Sequence, residues 1–278
     1  MTSINFKTFL LKIGVCRGCH VMVHSSLKQM RQAFGAIDAG EMIKILKNVV
    51  TEEGSLIMPT FTYCFKKRKG EQEAFDRETS GSKTGLLTEV FRTSEGVVRT
   101  ASPTHSFALW GNVTSFFDAH HAPASPLGKA SVLNWLAEQD KAFILLLGTD
   151  FTSLTFGHYL ENITPMPWVD HCPWDYLDVL PVGVSTRGQQ SLKEVPGCSK
   201  SFTNFQHDLH EQQKIKPFYV NGVQNYNIPV SMLVREGLPY FRNNPMNLLC
   251  KQGTCQACDA RRFFYMEKVK RQIEQQND

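Results

Sequence analysis

Residues 143–161 read FILLLGTDFTSLTFGHYLE, and this stretch decides the fold class. The apolar run Phe143–Leu147 is typical of a buried strand, and Gly148 ends it. Thr152 or Ser153 is then in position to cap a short helix. A strand, a turn and a helix in this order form the repeating unit of α/β proteins.

The predicted helix carries Thr155, His158 and Glu161 at intervals of three residues. Residues with this spacing lie on nearly the same side of a helix, so Thr155 and Glu161 can each reach the His158 imidazole. A carboxylate that orients an imidazole and stabilises its protonated form makes the imidazole a good general base. On spacing alone, a purely structural histidine remains the alternative.

Other apolar runs extend the alternation of strands and helices. Asp38 and Glu41 have the spacing of a capping box, which starts a helix that we expect to end near Val50. The other predicted elements of the first half are strands at His20–Val23, Ser55–Met58 and Ala142–Leu147 and helices at Asn5–Lys12, Thr84–Thr93 and Ala130–Glu138. Strands separated by helices imply right-handed parallel crossovers.

The second half of the chain has a less regular pattern. Leu177–Val184 and Ser191–Val195 are predicted to pair as antiparallel strands joined across Arg187–Gly188. A helix is expected to start at Asn227–Pro229 and run through Glu236, and Gln256–Gln275 is predicted to form a final amphipathic helix.

These elements predict an α/β fold with a central, mostly parallel sheet, helices on both faces and a smaller C-terminal α+β extension. We interpret residues 1–278 as one domain, with a core at 1–164 and a subdomain at 165–278. Ligands of open α/β sheets bind beyond the carboxyl ends of the strands. His24–Ser26, Pro59–Thr62 and Gly148–His158 all follow predicted strands, so we expect them to share one cleft.

Composition excludes several classes of protein. The chain has 278 residues, of which 42% are hydrophobic and 20% charged, as is ordinary for a globular protein with a large core. Its 30 basic and 26 acidic residues give a net charge of +4, and apart from Lys66–Lys69 no basic block favours nucleic acid. With no apolar stretch of about 18 residues and no signal-like N-terminus, we expect a cytoplasmic protein without membrane contact.

The eight cysteines are expected to be reduced thiols, but two groups have metal-site spacing. Cys16, Cys19 and His20 match a haem-attachment motif, although they precede a predicted strand in a chain with no export signal. The group Cys250, Cys255 and Cys258 could form a tetrahedral zinc site together with Cys16 and Cys19. The two groups are far apart in sequence, so we assign no metal ligand and leave open whether these cysteines bind a metal ion.

Several short motifs occur in one order along the first two thirds of the chain. Together they resemble the aminoglycoside 3-N-acetyltransferase family, whose members depend on acetyl-coenzyme A. The resemblance runs from about Val21 to Trp168 and continues weakly to Cys198. The motifs are Val21–Leu27, Leu56–Tyr63, Phe75–Asp76, Ser82–Leu87, Phe91–Arg92, Ser102–Ala108, Ser125–Pro126 and Thr155–Glu161.

The resemblance implies an acetyl-CoA-dependent N-acetyltransferase and assigns roles to motif positions. Coenzyme A and a small-molecule amine are the expected partners, and a homodimer is left open. The first part of the chain would bind the cofactor and carry the catalytic residues, and the second would complete the acceptor pocket. The positions implied to hold the pantetheine arm of coenzyme A are His24, Ser25, Ser26, Ser82, Ser106 and Phe107, and those implied to bind the acceptor are Thr60, Tyr63, Asp76 and His105.

The chemistry predicted from these residues is direct attack of an amine on the thioester. His158 would act as the base, with Glu161 and Thr155 beside it. The rival within the enzyme class is Cys64 as an acyl-accepting nucleophile, which we disfavour against a buried, inert thiol. The alternative from another class is a zinc-stabilised binding or scaffold protein on the same fold.

The acceptor is the least determined part of the prediction. Ser102 stands where many relatives have a histidine, so any role of that histidine is in doubt here. An enzyme dedicated to polycationic aminoglycosides should present several carboxylates. Lys66–Lys69 instead favours an anionic acceptor such as a nucleotide-linked amino sugar. We therefore expect an amino sugar or related amine, with antibiotic modification as a narrower option.

Overall fold

A computed structural model describes residues 4–168, 175–193 and 197–277 of the chain. The described residues form a seven-stranded sheet in the order β4-β5-β2-β1-β6-β10-β9 and a three-stranded sheet in the order β3-β7-β8. The strands are β1 (His20–Ser25), β2 (Ser55–Pro59), β3 (Phe65–Lys67), β4 (Val98–Arg99), β5 (Phe107–Gly111), β6 (Ala142–Leu147), β7 (Val179–Ser185), β8 (Gly188–Ser191), β9 (Phe218–Val220) and β10 (Val223–Pro229).

Parallel pairing is confined to the middle of the large sheet. There β1 lies parallel to both β2 and β6, whereas β5, β4, β10 and β9 add antiparallel strands on the two sides. The predicted α/β class is confirmed, but the prediction of a mostly parallel sheet is wrong. Antiparallel neighbours need no right-handed crossover, so β5 can pair with β2 and β10 with β6 at the two sides of the parallel centre.

Helices cover both faces of the large sheet, as predicted. Alternate residues of β1 belong to different hydrophobic clusters, with Val21 and Val23 on one face and Met22 on the other. Since side chains alternate across a strand, each face buries its own apolar layer. The helices are α1 (Phe6–Lys12), α2 (Leu27–Phe34), α3 (Ala39–Val50), α4 (Leu86–Arg92), α5 (Val132–Ala137), α6 (Thr155–Ile163), α7 (Phe202–Glu211), α8 (Val230–Asn243) and α9 (Gln256–Asn277).

Local capping explains several helix starts. The Asp38 carboxylate accepts a hydrogen bond from the Glu41 amide at 2.8 Å, as the capping-box spacing predicts. The cap expected at Thr152 or Ser153 is wrong. Asp150 instead caps a short 3-10 helix at Phe151–Ser153, and α6 begins after it at Thr155.

The C-terminal half contributes to both sheets. The predicted hairpin exists, but its second strand is β8, which begins earlier than expected, and Val195 lies outside the described residues. The helix predicted from Asn227 is wrong at its start, because Asn227 and Ile228 belong to β10 and pair with β6. Within the described part of the chain, no helix is long and apolar enough to cross a membrane.

Candidate active site

The carboxyl ends of the three parallel strands meet at one edge of the sheet. The segments at and after these ends line a cavity of about 240 Å³, which receives His24 and Ser25 from β1, Pro59 from β2 and Thr155 from α6. The cleft predicted from the strand order therefore exists. Its lining is mostly polar, with hydroxyl groups from Thr84, Thr88, Thr152, Ser153 and Ser199.

A second cavity of about 500 Å³ is also lined by His158. Its walls are mainly apolar and include Phe65, Leu177 and Val179. Four residues line both cavities, namely Phe61, Tyr63, His158 and Ser199. His158 thus lines both a polar and an apolar cavity.

The His158 imidazole is held by a buried carboxylate. Its Nδ1 lies 2.7 Å from Oε2 of Glu161, and both side chains are nearly inaccessible. This contact leaves Nε2 as the ring nitrogen that Glu161 does not engage. The pairing predicted from the spacing of three is present. No hydrogen bond joins Thr155 to His158 within the described residues, although Thr155 lines the polar cavity.

Arg261 of α9 completes this arrangement and was missed by the sequence analysis. Its Nη1 donates to the other oxygen of Glu161, Oε1, at 3.0 Å. Burial opposes ionisation of Glu161. The Arg261 cation and the hydrogen bond from His158 outweigh burial, so the pKa of Glu161 lies below its usual range. Arg261 also lies over the Trp168 ring, 5.7 Å from its centroid.

His24 and Ser25 present unused polar atoms at the polar cavity. Nε2 of His24 and Oγ of Ser25 are buried and have no hydrogen-bond partner among the described residues. Burial lowers the pKa of His24 to about 4, so its imidazole is neutral at physiological pH. Buried polar atoms are normally paired, so two unpaired ones beside a cavity fit a ligand that would pair with them.

Other predicted cofactor positions have structural partners instead. Ser26 is the N-cap of α2 and accepts from the Gln29 amide at 3.4 Å. The Ser82 hydroxyl contacts the hydroxyls of Thr84 and Thr88, at 2.8 and 2.9 Å. Ser82 therefore supports two residues that line the polar cavity.

Ser106, Phe107 and Thr60 lie behind the cavities. Ser106 donates to the Thr60 carbonyl at 2.8 Å and accepts from Nε of the buried Arg99 at 3.1 Å. Phe107 belongs to the hydrophobic cluster beneath the sheet. These three residues are not among those that line either cavity. These motif positions therefore support the site without lining either cavity.

The predicted acceptor residues are divided between two places. Tyr63 lines both cavities, and His105 lines the apolar one. His105 is surrounded by aromatic rings, with the Phe61 centroid at 4.6 Å, and its Nδ1 lies 3.0 Å from the Thr104 hydroxyl. Burial lowers its pKa to about 3, and the nearby His158 acts in the same direction. Asp76 lies elsewhere, where it accepts hydrogen bonds from Thr79 and lines a separate cavity of about 110 Å³.

Two further expectations from the sequence find no support in the geometry. Cys64 is buried, and burial raises the pKa of its thiol, which is the opposite of what an activated nucleophile needs. Lys66–Lys69 does not line either cavity, and Arg68 pairs with Asp175 at the surface. The basic segment is therefore no guide to the acceptor. Among the described residues, the lysines and arginines that line the cavities are Lys83 and Lys200.

Comparison with known proteins agrees with this geometry. A model of the aminoglycoside 3-N-acetyltransferase family matches residues 22–242. The chain belongs to this family. It is 29% identical over 174 residues to the SPbeta prophage-derived aminoglycoside N(3')-acetyltransferase-like protein YokD of Bacillus subtilis strain 168. That alignment covers 56% of the chain and 63% of YokD, so the chain spans a little under two thirds of this relative's length.

Solved structures of the family share the fold. The apoenzyme of aminoglycoside acetyltransferase AAC(3)-IVa has a TM-score of 0.77 at 23% identity, covering 95% of the chain and 100% of that structure. AAC-IIIb, solved as a binary complex with CoASH, has a TM-score of 0.67 at 17% identity, covering 84% of the chain and 94% of that structure. The resemblance to this family that the motifs indicated is confirmed.

Proposed function

We propose that the chain transfers an acetyl group from acetyl-CoA to an amine of a small molecule, with His158 as the general base. The observation that carries this proposal is that His158 lines both cavities while its Nδ1 contacts the buried Glu161 carboxylate. A group-transfer enzyme must bring a donor and an acceptor to one proton-accepting atom. Nε2 of His158 is that atom in this proposal.

The polar cavity is the proposed site of the thioester end of acetyl-CoA. Pantetheine contains two amides, which require a few polar partners in a narrow channel. The unpaired Nε2 of His24 and Oγ of Ser25 offer such partners, and Lys83 offers a positive charge at the same cavity. The complex of AAC-IIIb with CoASH supports coenzyme A as the ligand of this fold.

The proposed reaction proceeds without a covalent enzyme intermediate. The amine nitrogen attacks the thioester carbonyl carbon, and Nε2 of His158 takes the proton that the nitrogen loses. Glu161 stabilises the imidazolium that results, because its carboxylate faces Nδ1. Collapse of the tetrahedral intermediate breaks the carbon–sulfur bond, and the departing thiolate takes the proton back from His158.

The apolar cavity is the proposed acceptor site. The acceptors that we propose are amino sugars, either as aminoglycosides or as nucleotide-linked sugars. Among the described residues that line this cavity there is no carboxylate, and Lys200 contributes a positive charge. Repulsion by Lys200 and the lack of a counter-charge both favour an acceptor with few amines over a polycation.

Thiol release in the presence of acetyl-CoA and separate amines tests this function. The panel should contain aminoglycosides, neutral monoamino sugars and nucleotide-linked amino sugars at matched concentrations. We expect release with at least one class and saturable binding of coenzyme A in calorimetry. If coenzyme A does not bind, the enzyme proposal is wrong and the non-catalytic alternative gains. Binding without release across the panel would refute the proposed acceptor class alone.

A further inference from the structure

Four cysteines from three separate segments converge next to the acceptor side of the site. Cys198 precedes α7, Cys250 follows α8, and Cys255 and Cys258 lie at the start of α9. All four sulfur atoms lie within 4.8 Å of one another. The group Cys250, Cys255 and Cys258, predicted from the sequence, is therefore completed by Cys198 and not by Cys16 and Cys19.

The distances fit four ligands around one ion. A tetrahedron with metal–sulfur bonds of about 2.3 Å has sulfur–sulfur edges of about 3.8 Å. Cys198 Sγ and Cys250 Sγ lie 3.8 Å apart. A disulfide would need sulfur atoms about 2.05 Å apart, so these thiols are arranged for coordination and not for oxidation in pairs.

A main-chain group is placed as expected beside a thiolate ligand. The Lys200 amide donates to Cys198 Sγ at 3.4 Å. The loop between Cys250 and Cys255 turns at Gly253, whose φ is +80°. Such donors reduce the negative charge that accumulates on a site of four thiolates.

We propose that Cys198, Cys250, Cys255 and Cys258 bind one zinc(II) ion in a structural site. Four thiolates in a tetrahedral arrangement select zinc among the common divalent metals. All four positions are taken by the protein, so the ion would have no open position for water or substrate. Its role is to hold together segments that are far apart in sequence.

The position of the site explains why the fold would need this ion. Cys258 lies one helical turn before Arg261, the residue that contacts Glu161. On the other side, Cys198 and Lys200 line the apolar cavity together with His158. Zinc would fix the start of α9 and the segment 197–200 to each other, and with them two walls of the site around His158. This inference does not depend on the proposed acetyl transfer.

Metal analysis of the purified full chain is the first test. We expect about one zinc per chain after purification without chelator. Replacement of the ion by cobalt(II) should give the visible absorption bands of a tetrahedral thiolate complex. Absence of stoichiometric zinc, together with no thiolate bands on adding cobalt(II), would overturn the proposal.

Cysteine variants then identify the ligands. Cys255→Ser with Cys258→Ser should lose most of the bound zinc. Cys16→Ser with Cys19→Ser, a matched control at the other close cysteine pair, should retain it. Zinc lost from the control pair and kept by the first pair would contradict the assignment. A thiol count below eight in unfolded, chelator-treated and unreduced protein would instead indicate disulfides and also overturn it.

The wild-type protein provides a test that does not depend on the folding of a ligand variant. A mercurial reagent that displaces zinc from thiolates should release the ion in step with the modification of four cysteines. Hydrogen exchange should then increase first at the start of α9 and at residues 197–200. Zinc release without any change in exchange at these segments would show that the ion does not hold them.

Discussion

Two buried histidines line the same apolar cavity, and they differ in the groups that their rings contact. His158, on α6, has a carboxylate behind its ring, whereas His105, just before β5, has a threonine hydroxyl and a ring of aromatic side chains. They are 9% and 4% exposed, so burial is nearly the same. Burial alone lowers the pKa of an imidazole and so disfavours its protonated form. A carboxylate partner stabilises that form.

The same comparison separates the roles of the two residues in the proposed reaction. His105 is kept neutral mainly by burial, which together with the nearby His158 lowers its pKa to about 3. The apolar cavity therefore holds one imidazole with a carboxylate partner and one that burial keeps neutral. Each of the following predictions tests part of this difference.

The largest effect is expected from removal of the base. His158→Ala should lower kcat by roughly two to four orders of magnitude, the usual contribution of a positioned general base. Coenzyme A affinity, measured by calorimetry, should change little. His207→Ala is the matched control, because His207 also faces a carboxylate, Glu211, but on an exposed helix surface. Near-normal turnover of His158→Ala would remove this residue from the mechanism.

The carboxylate itself should come next. Glu161→Gln keeps the shape of the side chain and removes the charge that stabilises the imidazolium. We expect kcat to fall by about one to two orders of magnitude and the acidic limb of the kcat/KM profile to move to lower pH. A profile that overlays the wild type in height and midpoint would make His158 no different in kind from His105.

A smaller effect is expected at Ser25, which follows the buried His24. Ser25→Ala should weaken coenzyme A binding by roughly threefold to tenfold, since one hydrogen bond contributes about 1 kcal/mol. Ser26→Ala should instead cost about 1 kcal/mol of folding stability through loss of the α2 cap, with little effect on affinity. Equal affinity for wild type and Ser25→Ala would show that the unpaired Ser25 hydroxyl does not meet the cofactor.

Arg261 should act on His158 through Glu161, as a positioning residue. Arg261→Gln removes a cation that competes for the carboxylate, so the acidic limb should move to higher pH, opposite to the change in Glu161→Gln. The change in kcat should be less than about tenfold. Arg261→Lys keeps a positive charge, so its acidic limb should lie closer to that of the wild type. A loss of stability without any shift of the limb would assign Arg261 a structural role only.

The sequence predicted the local half of this arrangement and not the distant half. The spacing of His158 and Glu161 is a property of one helix, so it can be read directly. Arg261 lies 100 positions beyond Glu161, and a single arginine on a helix gives no signal of its partner. Cys198 likewise became a candidate ligand only when the fold placed it beside Cys250.

The fold shows the same limit. The three parallel strands were predicted because each is a continuous apolar run, but β10 was predicted as a helix start. Its Asn225 and Asn227 are poor strand formers that find distant partners, the Gly148 amide and the Ile13 carbonyl. Such partners depend on the tertiary structure, which local propensity does not contain.

The last prediction concerns the pH dependence of the free energy of unfolding. The pKa of His105 is about 3 in the folded chain and near 6.5 when exposed, so between these values the unfolded state binds one more proton. Stability is therefore fully present above about pH 6.5 and falls by about 1.4 kcal/mol per pH unit below it. His24, with a pKa of about 4, should add a similar slope over a narrower range.

His105→Asn removes this proton site and keeps a polar group near the Thr104 hydroxyl. The free energy of unfolding, measured in urea between pH 5 and 6.5, should depend on pH less steeply by about one proton than in the wild type. His207→Asn, at an exposed site, should leave the slope unchanged. If His105→Asn also keeps the wild-type slope, His105 is not held neutral by burial. The contrast with His158 would then rest on the carboxylate contact alone.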